Sequence, residues 1–235
     1  MVDRRRIMNQ YRIEYRHNGV ASYLELYLFV NPLGQSCYIS EKEILKLPHL
    51  ITSKIDFHIL PLLNQNLIQD YMRRHQMDAS NLQLRNQVYR AVYQAAIAYK
   101  AACIQGKKIG RLFLLRIQEL AKSDIFTLDE DHFISIAKDL QCDVETFMSD
   151  YRSDFVRQLF IKDQRIAQEL QVTQSPSLVI FEFNHHEGRV LTNRPITCKQ
   201  ALEEIDSIVE ENIIHHQKRQ SKRLLKLVKN KPIQK

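Results

Sequence analysis

Four cysteines, Cys37, Cys103, Cys142 and Cys198, are the side chains of this 235-residue chain best suited to covalent chemistry, and their spacing limits what that chemistry can be. No two lie close together, so neither a zinc ribbon nor a disulfide framework is legible. Cys37 alone follows an apolar run that ends in a turn, LELYLFVNPLGQSC over 24–37. A C-x-x-C dithiol site needs one sulfur to attack and form the mixed disulfide and a second to resolve it. In Gly34-Gln35-Ser36-Cys37 the first position holds glycine, so the disulfide cycle cannot run there. Cys37 then has two readings: a thiolate whose pKa is lowered at a helix N-terminus, or a buried and unreactive thiol. The second is expected, because unpaired cysteine commonly behaves as a small buried hydrophobe.

Other reactive groups are less promising. The pairs His185-His186 and His215-His216 suggest metal ligation, but adjacent strand residues face opposite sides and adjacent helix residues diverge by about 100 degrees. No cysteine or carboxylate stands at a spacing that would complete either set, so no metal and no cofactor is expected. Asp129, Glu130, Asp131 and His132 read as acidic helix-start residues favoured by the dipole, and His75 offers no catalytic partner.

The elements that must position the turn are read from pattern. Tyr23 to Val30 is a Tyr, Leu, Phe and Val run stopped by Asn31-Pro32, as expected of a buried central strand. Ser40 with Glu43 fits a capping box for the next helix. Ile55 to Leu62 is a second strand, with Pro61 near its end. Apolar residues at helical spacing predict helices over Asp78 to Cys103, broken at Gln105-Gly106, and over Ile109 to Ala121, Asp129 to Leu140 and Val144 to Leu170. Ser175-Pro176 feeds the apolar strand Ser177 to Phe181; a turn over Asn184 to Arg189 leads to a partner strand near Val190. A closing helix runs from Cys198 through Ile213. The outline is α/β with a helical insertion.

The formal net charge of +7 is concentrated at one end. Residues 218–235 hold eight Lys or Arg and no acids, which leaves 34 minus 8, or 26, basic residues against 27 acidic ones elsewhere. A nucleic-acid-binding domain would spread a basic face over its fold, so no nucleic-acid partner is expected. The tail reads as a solvated helix end, with Leu224, Leu225 and Val228 on one face leaving a docking role open. No run reaches membrane-spanning length, and Ile7 to Asn18 is too polar for a secretory signal. With scattered free cysteines, the expected location is the cytoplasm, away from membranes.

Taken together, LYLFVNPLGQSCY, the helical insertion, FVRQLFIKDQRIAQELQVTQSPSLVIFE and the closing helix with its basic tail resemble the SpxH (YjbH) family, DsbA-like proteins that act as adaptors for the ClpXP protease. The resemblance implies a thioredoxin-like domain over 1–66 and 152–217, a helical insertion over 67–151 and a basic tail over 218–235. It implies that the Ser175–Pro176 bond is cis and lies beside the active-site turn. It also implies a noncatalytic adaptor that binds the transcription factor Spx and presents it to ClpX, with Leu33, Gly34, Gln35, Ser36, Cys37, Ser175 and Pro176 lining the degenerate site. Family members with a fuller cysteine motif differ at Gly34, which puts redox regulation through this turn in doubt. The alternative is an enzyme like the kappa-class glutathione transferases and related isomerases, which place serine at the first active-site position; Gly34 offers no hydroxyl for that role.

Overall fold

A computed structural model describes residues 12–17, 20–122, 125–183, 188–192 and 194–211. Two short strands, β1 (Arg16–His17) and β2 (Val20–Ala21), form a hairpin ahead of a four-stranded sheet. The sheet has the order β4-β3-β5-β6, from β3 (Tyr23–Val30), β4 (Lys54–Pro61), β5 (Ser177–Glu182) and β6 (Arg189–Leu191). β4 runs parallel to β3, whereas β5 and β6 run antiparallel to their neighbours. The parallel pair is joined through α1 (Gln35–Ile44) and the short α2 (Leu47–Leu50), since parallel strands need a crossover.

Alternation along the strands sends side chains to two separate cores. Leu24, Leu26, Leu28 and Val30 of β3, with Leu178 and Ile180 of β5, pack against Cys37 and Ile44 of α1. Ala201, Ile205 and Ile208 of the closing helix α9 (residues 198–211) complete that layer. Phe29, Leu60 and Val179 point the other way, into the insertion. There they meet α3 (Gln65–Arg74), α4 (Leu82–Ile104), α5 (Lys107–Leu120), α6 (Glu130–Asp139), α7 (Val144–Arg152) and α8 (Asp154–Glu169). A strand buried on both faces reads as a continuous apolar run, which is why β3 and β5 are legible in the sequence. No helix among the described residues is long and apolar enough to cross a membrane.

Three local expectations are corrected. Ser40 does not cap a helix: α1 begins five residues earlier, with Gly34 as its N-cap, and Ser40 is fully buried within it. Its hydroxyl donates to the Ser36 carbonyl (2.7 Å) and accepts from the Ile196 amide (2.9 Å), so the hydroxyl serves a tertiary contact. The predicted helix over Val144 to Leu170 is two helices, broken at Ser153, which leaves the helical region and caps α8 by accepting from the Val156 amide. The predicted helix from Asp78 begins at Leu82 instead, because Asn81 takes the cap by accepting from the Leu84 amide. The break at Gln105-Gly106 stands where expected; Gly106 has φ +138°, a backbone that favours glycine. The turn over Asn184 to Arg189 lies largely outside the described residues, as do the end of the closing helix and the basic tail.

Candidate functional site

β3 ends at the turn, and Asn31 organises the bend. Its side-chain Oδ1 accepts from the Leu33 amide (2.9 Å), and its carbonyl accepts from the Gly34 amide (2.9 Å). This brings the chain round so that Gly34 opens α1, and the Tyr38 amide closes the first helical turn on the Gly34 carbonyl (3.0 Å). Cys37 therefore points back beneath the turn. Its sulfur accepts from the Asn31 amide (3.2 Å), and only 2% of the residue is exposed.

The second component arrives from the far end of the sequence. The Ser175–Pro176 bond is cis, in agreement with the resemblance, and Ser175 stands beside Cys37 as a hydrogen-bonding neighbour of its sulfur. A second cis bond, Arg194–Pro195, has no counterpart in the sequence reading. Burial pushes the Cys37 thiol up to about 12; the Asn31 amide and Ser175 pull the other way without overcoming it. At neutral pH Cys37 is a thiol, not a nucleophile, in line with its buried reading. A methyl carbon placed on Gly34 would lie 3.2 Å from this sulfur, so position 34 is where a second thiol would have to stand.

Of the seven predicted site residues, the fold assembles all around one point but leaves few at the surface. Leu33, Cys37, Ser175 and Pro176 are buried, whereas Gly34, Gln35 and Ser36 are partly exposed. Sequence reasoning missed the rim. On one side Gln35 Nε2 donates to the Gln118 carbonyl (2.9 Å) and Tyr38 donates to Glu119 (2.8 Å), tying α1 to the end of α5. Lys122 lies over the Tyr38 ring at 4.4 Å. On the other side Asp70 is shared by Arg73, Arg74 and Arg194, three cations against one carboxylate, a net +2 for this cluster among the described residues. Arg194 also reaches Gln174, next to the cis-proline loop (3.2 Å). Ile39, 46% exposed, adds an apolar patch on α1. Nothing in the spacing of these residues groups them, because separate elements contribute them.

Beneath the turn, Glu41 is completely buried against Gln118, whose Nε2 donates to Glu41 Oε1 (2.8 Å). Burial pushes the Glu41 carboxyl up to about 8. A surface cleft of about 250 Å³ on the insertion, lined by Arg90, Tyr93, Ile97 and Tyr151 among others, includes none of the turn residues.

Comparison with known proteins agrees with this geometry. A thioredoxin family model matches residues 27–195. A relative from Bacillus subtilis (strain 168), named ClpXP adapter protein SpxH, is 28% identical over 182 residues, covering 70% of this chain and 60% of its own length. A Staphylococcus epidermidis relative of the same name is 27% identical over 195 residues, covering 80% and 66%. The chain thus spans about three fifths of the length of the Bacillus relatives. Among solved structures, a variant of Pseudomonas aeruginosa DsbA aligns with TM-score 0.56 at 14% identity, over 86% of this chain and 92% of that one. The oxidoreductase DsbA from Xylella fastidiosa aligns with TM-score 0.56 at 13% identity, over 80% and 86%. At such identities the likeness speaks to the fold, which is thioredoxin-like with the DsbA arrangement.

Proposed function

Because the chain belongs to the thioredoxin family over residues 27–195, we propose that it is a noncatalytic adaptor that binds the transcription factor Spx and promotes its degradation by the ClpXP protease. The observation that carries this reading is the turn itself: the strand, the helix N-terminus and the cis-proline loop are kept, while Gly34 and the buried Cys37 remove the sulfur chemistry they ordinarily frame. The name borne by the SpxH relatives supplies the class of partner. An adaptor acts by raising the effective concentration of substrate at the protease, which needs a docking surface and no reacting atom.

In this reading Gly34, Gln35 and Ser36 touch the partner, and Leu33, Cys37, Ser175 and Pro176 shape the floor beneath them. The thioredoxin-like part (1–66 and 152–217) carries the turn and the insertion (67–151) its second wall; the basic tail, 218–235, lies outside the described residues. The protein works in the cytoplasm without a cofactor, nucleic acid or membrane. Net positive charge on the Arg73, Arg74 and Arg194 edge favours an acidic partner segment.

The test is a reconstituted degradation reaction with purified ClpXP, ATP and Spx under excess reductant. Faster loss of Spx when the protein is added, with Cys37→Ser as active as the wild type, is the expected result. No acceleration of an otherwise competent substrate would overturn the proposal.

A further inference from the structure

At the end of the sheet opposite the turn, about 20 Å along β3, three potential ligands converge on the face turned toward the insertion. β3 and β4 are in parallel register with Glu25 opposite Asp56 and Tyr27 opposite His58. The two-residue period of the strands therefore brings Glu25, Asp56 and His58 to one face. We propose that they bind a divalent transition-metal ion of the zinc class.

Distances support the assignment. His58 Nε2 is 3.2 Å from Asp56 Oδ2 and 3.7 Å from Glu25 Oε1, and all three candidate ligand atoms lie within 4.8 Å of one another. Zinc bonds of 2.0–2.1 Å in tetrahedral geometry place neighbouring ligand atoms about 3.4 Å apart. The separations of 3.2 and 3.7 Å lie on either side of that value.

A second observation is independent of these distances. His58 Nε2 is buried and makes no well-aligned hydrogen bond: Asp56 Oδ2 is near it but off the ring N–H direction. A buried imidazole nitrogen that lacks an aligned hydrogen bond and lies between two carboxylates faces the charge a cation requires. The supporting groups are also placed. Tyr27 stacks on the His58 ring (4.9 Å between centroids, 16° between planes) and donates to Glu25 Oε1 (2.6 Å). Lys107 reaches Asp56 Oδ1 (3.3 Å), leaving Oδ2 toward the histidine. Such contacts orient ligands in metal sites. Lys107 is 75% exposed, so it can swing away when a cation neutralises the two carboxylates.

The donor set selects the metal. An imidazole with two carboxylates suits zinc and its neighbours, whereas magnesium and calcium prefer oxygen alone. Three protein ligands on a half-exposed face leave the fourth position to water.

The test is equilibrium dialysis of the full chain against zinc chloride in excess magnesium, with cobalt substitution as the spectroscopic probe. The wild type is expected to take up zinc in the micromolar range and to give a cobalt spectrum without a thiolate charge-transfer band. His58→Gln and Asp56→Asn should each weaken this uptake at least about tenfold, and Tyr27→Phe by a smaller factor. Zinc should raise the melting temperature of the wild type but not of His58→Gln, with EDTA reversing the effect. The proposal is overturned if the wild type takes up no zinc at millimolar concentration, or if uptake survives unchanged in both ligand variants. A thiolate band that persists in them would assign the metal to cysteine and overturn it as well.

Discussion

Cys37 stands in the first turn of a helix, where the dipole stabilises a thiolate by about 2 kcal/mol at most, yet its thiol is pushed from 9.0 to about 12. That rise of about 3 pKa units corresponds to roughly 4 kcal/mol, so burial wins. Alkylation at pH 8 followed by peptide mapping should leave Cys37 unmodified in the native protein and label it only after denaturation. Gly34→Cys makes the complementary test. The carbon it adds would lie 3.2 Å from the Cys37 sulfur, close to the ~3 Å that disulfide bond lengths require. Mild oxidation of that variant should remove two titratable thiols, whereas the wild type should lose none at this turn. Glu41 is a second residue ruled by burial. Its ordinary value of 4.5 is raised to about 8, so the folded state favours the acid form. The contribution of Glu41 to stability is then fully present below pH 4.5 and is lost as pH rises toward 8. The acid form also adds a donor on a side chain where Glu41 Oε2, like Gln118 Oε1, is buried without a hydrogen bond. Glu41→Gln should flatten the decline, stabilising the protein by up to about 3 kcal/mol at about pH 7 and by little at about pH 4.5 in urea unfolding.

Among elements, α4 and α5 approach closely at Gly110. A methyl group on Gly110 would meet Cys103 Sγ at 2.3 Å and Cys103 Cα at 3.0 Å, and the backbone atom cannot rotate away. Alanine is worth about 1 kcal/mol over glycine within a helix, but overpacking costs about 1–3 kcal/mol. Gly110→Ala should therefore lower the urea midpoint, and an unchanged or higher midpoint would show that the helices can part. Most elements are legible in the sequence, because β3, β5 and α4 carry uninterrupted or periodic apolar residues. Pattern misleads where one polar side chain decides the outcome. Ser40 with Glu43 imitates a capping box, yet its hydroxyl is engaged by the loop before α9 (2.9 Å to the Ile196 amide). Ser153 looks like one polar residue on a long amphipathic helix, and its backbone is extended, with ψ 150°. Neither fact has a local signature. The candidate site is legible at the turn and the cis-proline, which are contiguous motifs. Its rim is not, since Asp70 and Arg194 meet across 124 positions of chain.

Across the whole molecule the insertion and the sheet share one core. Phe29, Leu60 and Val179 of the strands belong to the same buried cluster as Phe113, Phe133 and Phe147 of the insertion, and Tyr99 of α4 donates to the Ile59 carbonyl of β4 (2.9 Å). Neither part can shed the other without exposing aromatic surface. Urea unfolding monitored by far-ultraviolet dichroism and by tyrosine fluorescence should give one coincident transition; two separated transitions would make the insertion an independent unit. The uneven sharing of Asp70 has a consequence for rates. Among the described residues, the excess of two guanidinium charges over Asp70 at the edge of the turn extends its field over a Debye length of about 8 Å at physiological ionic strength. On the docking surface proposed above, an acidic chain should be captured faster as salt is diluted, while its escape, set by short-range contacts at the turn, should hardly change. Under that proposal ionic strength sets how often partners arrive, and the neutral floor of the turn sets how long they stay.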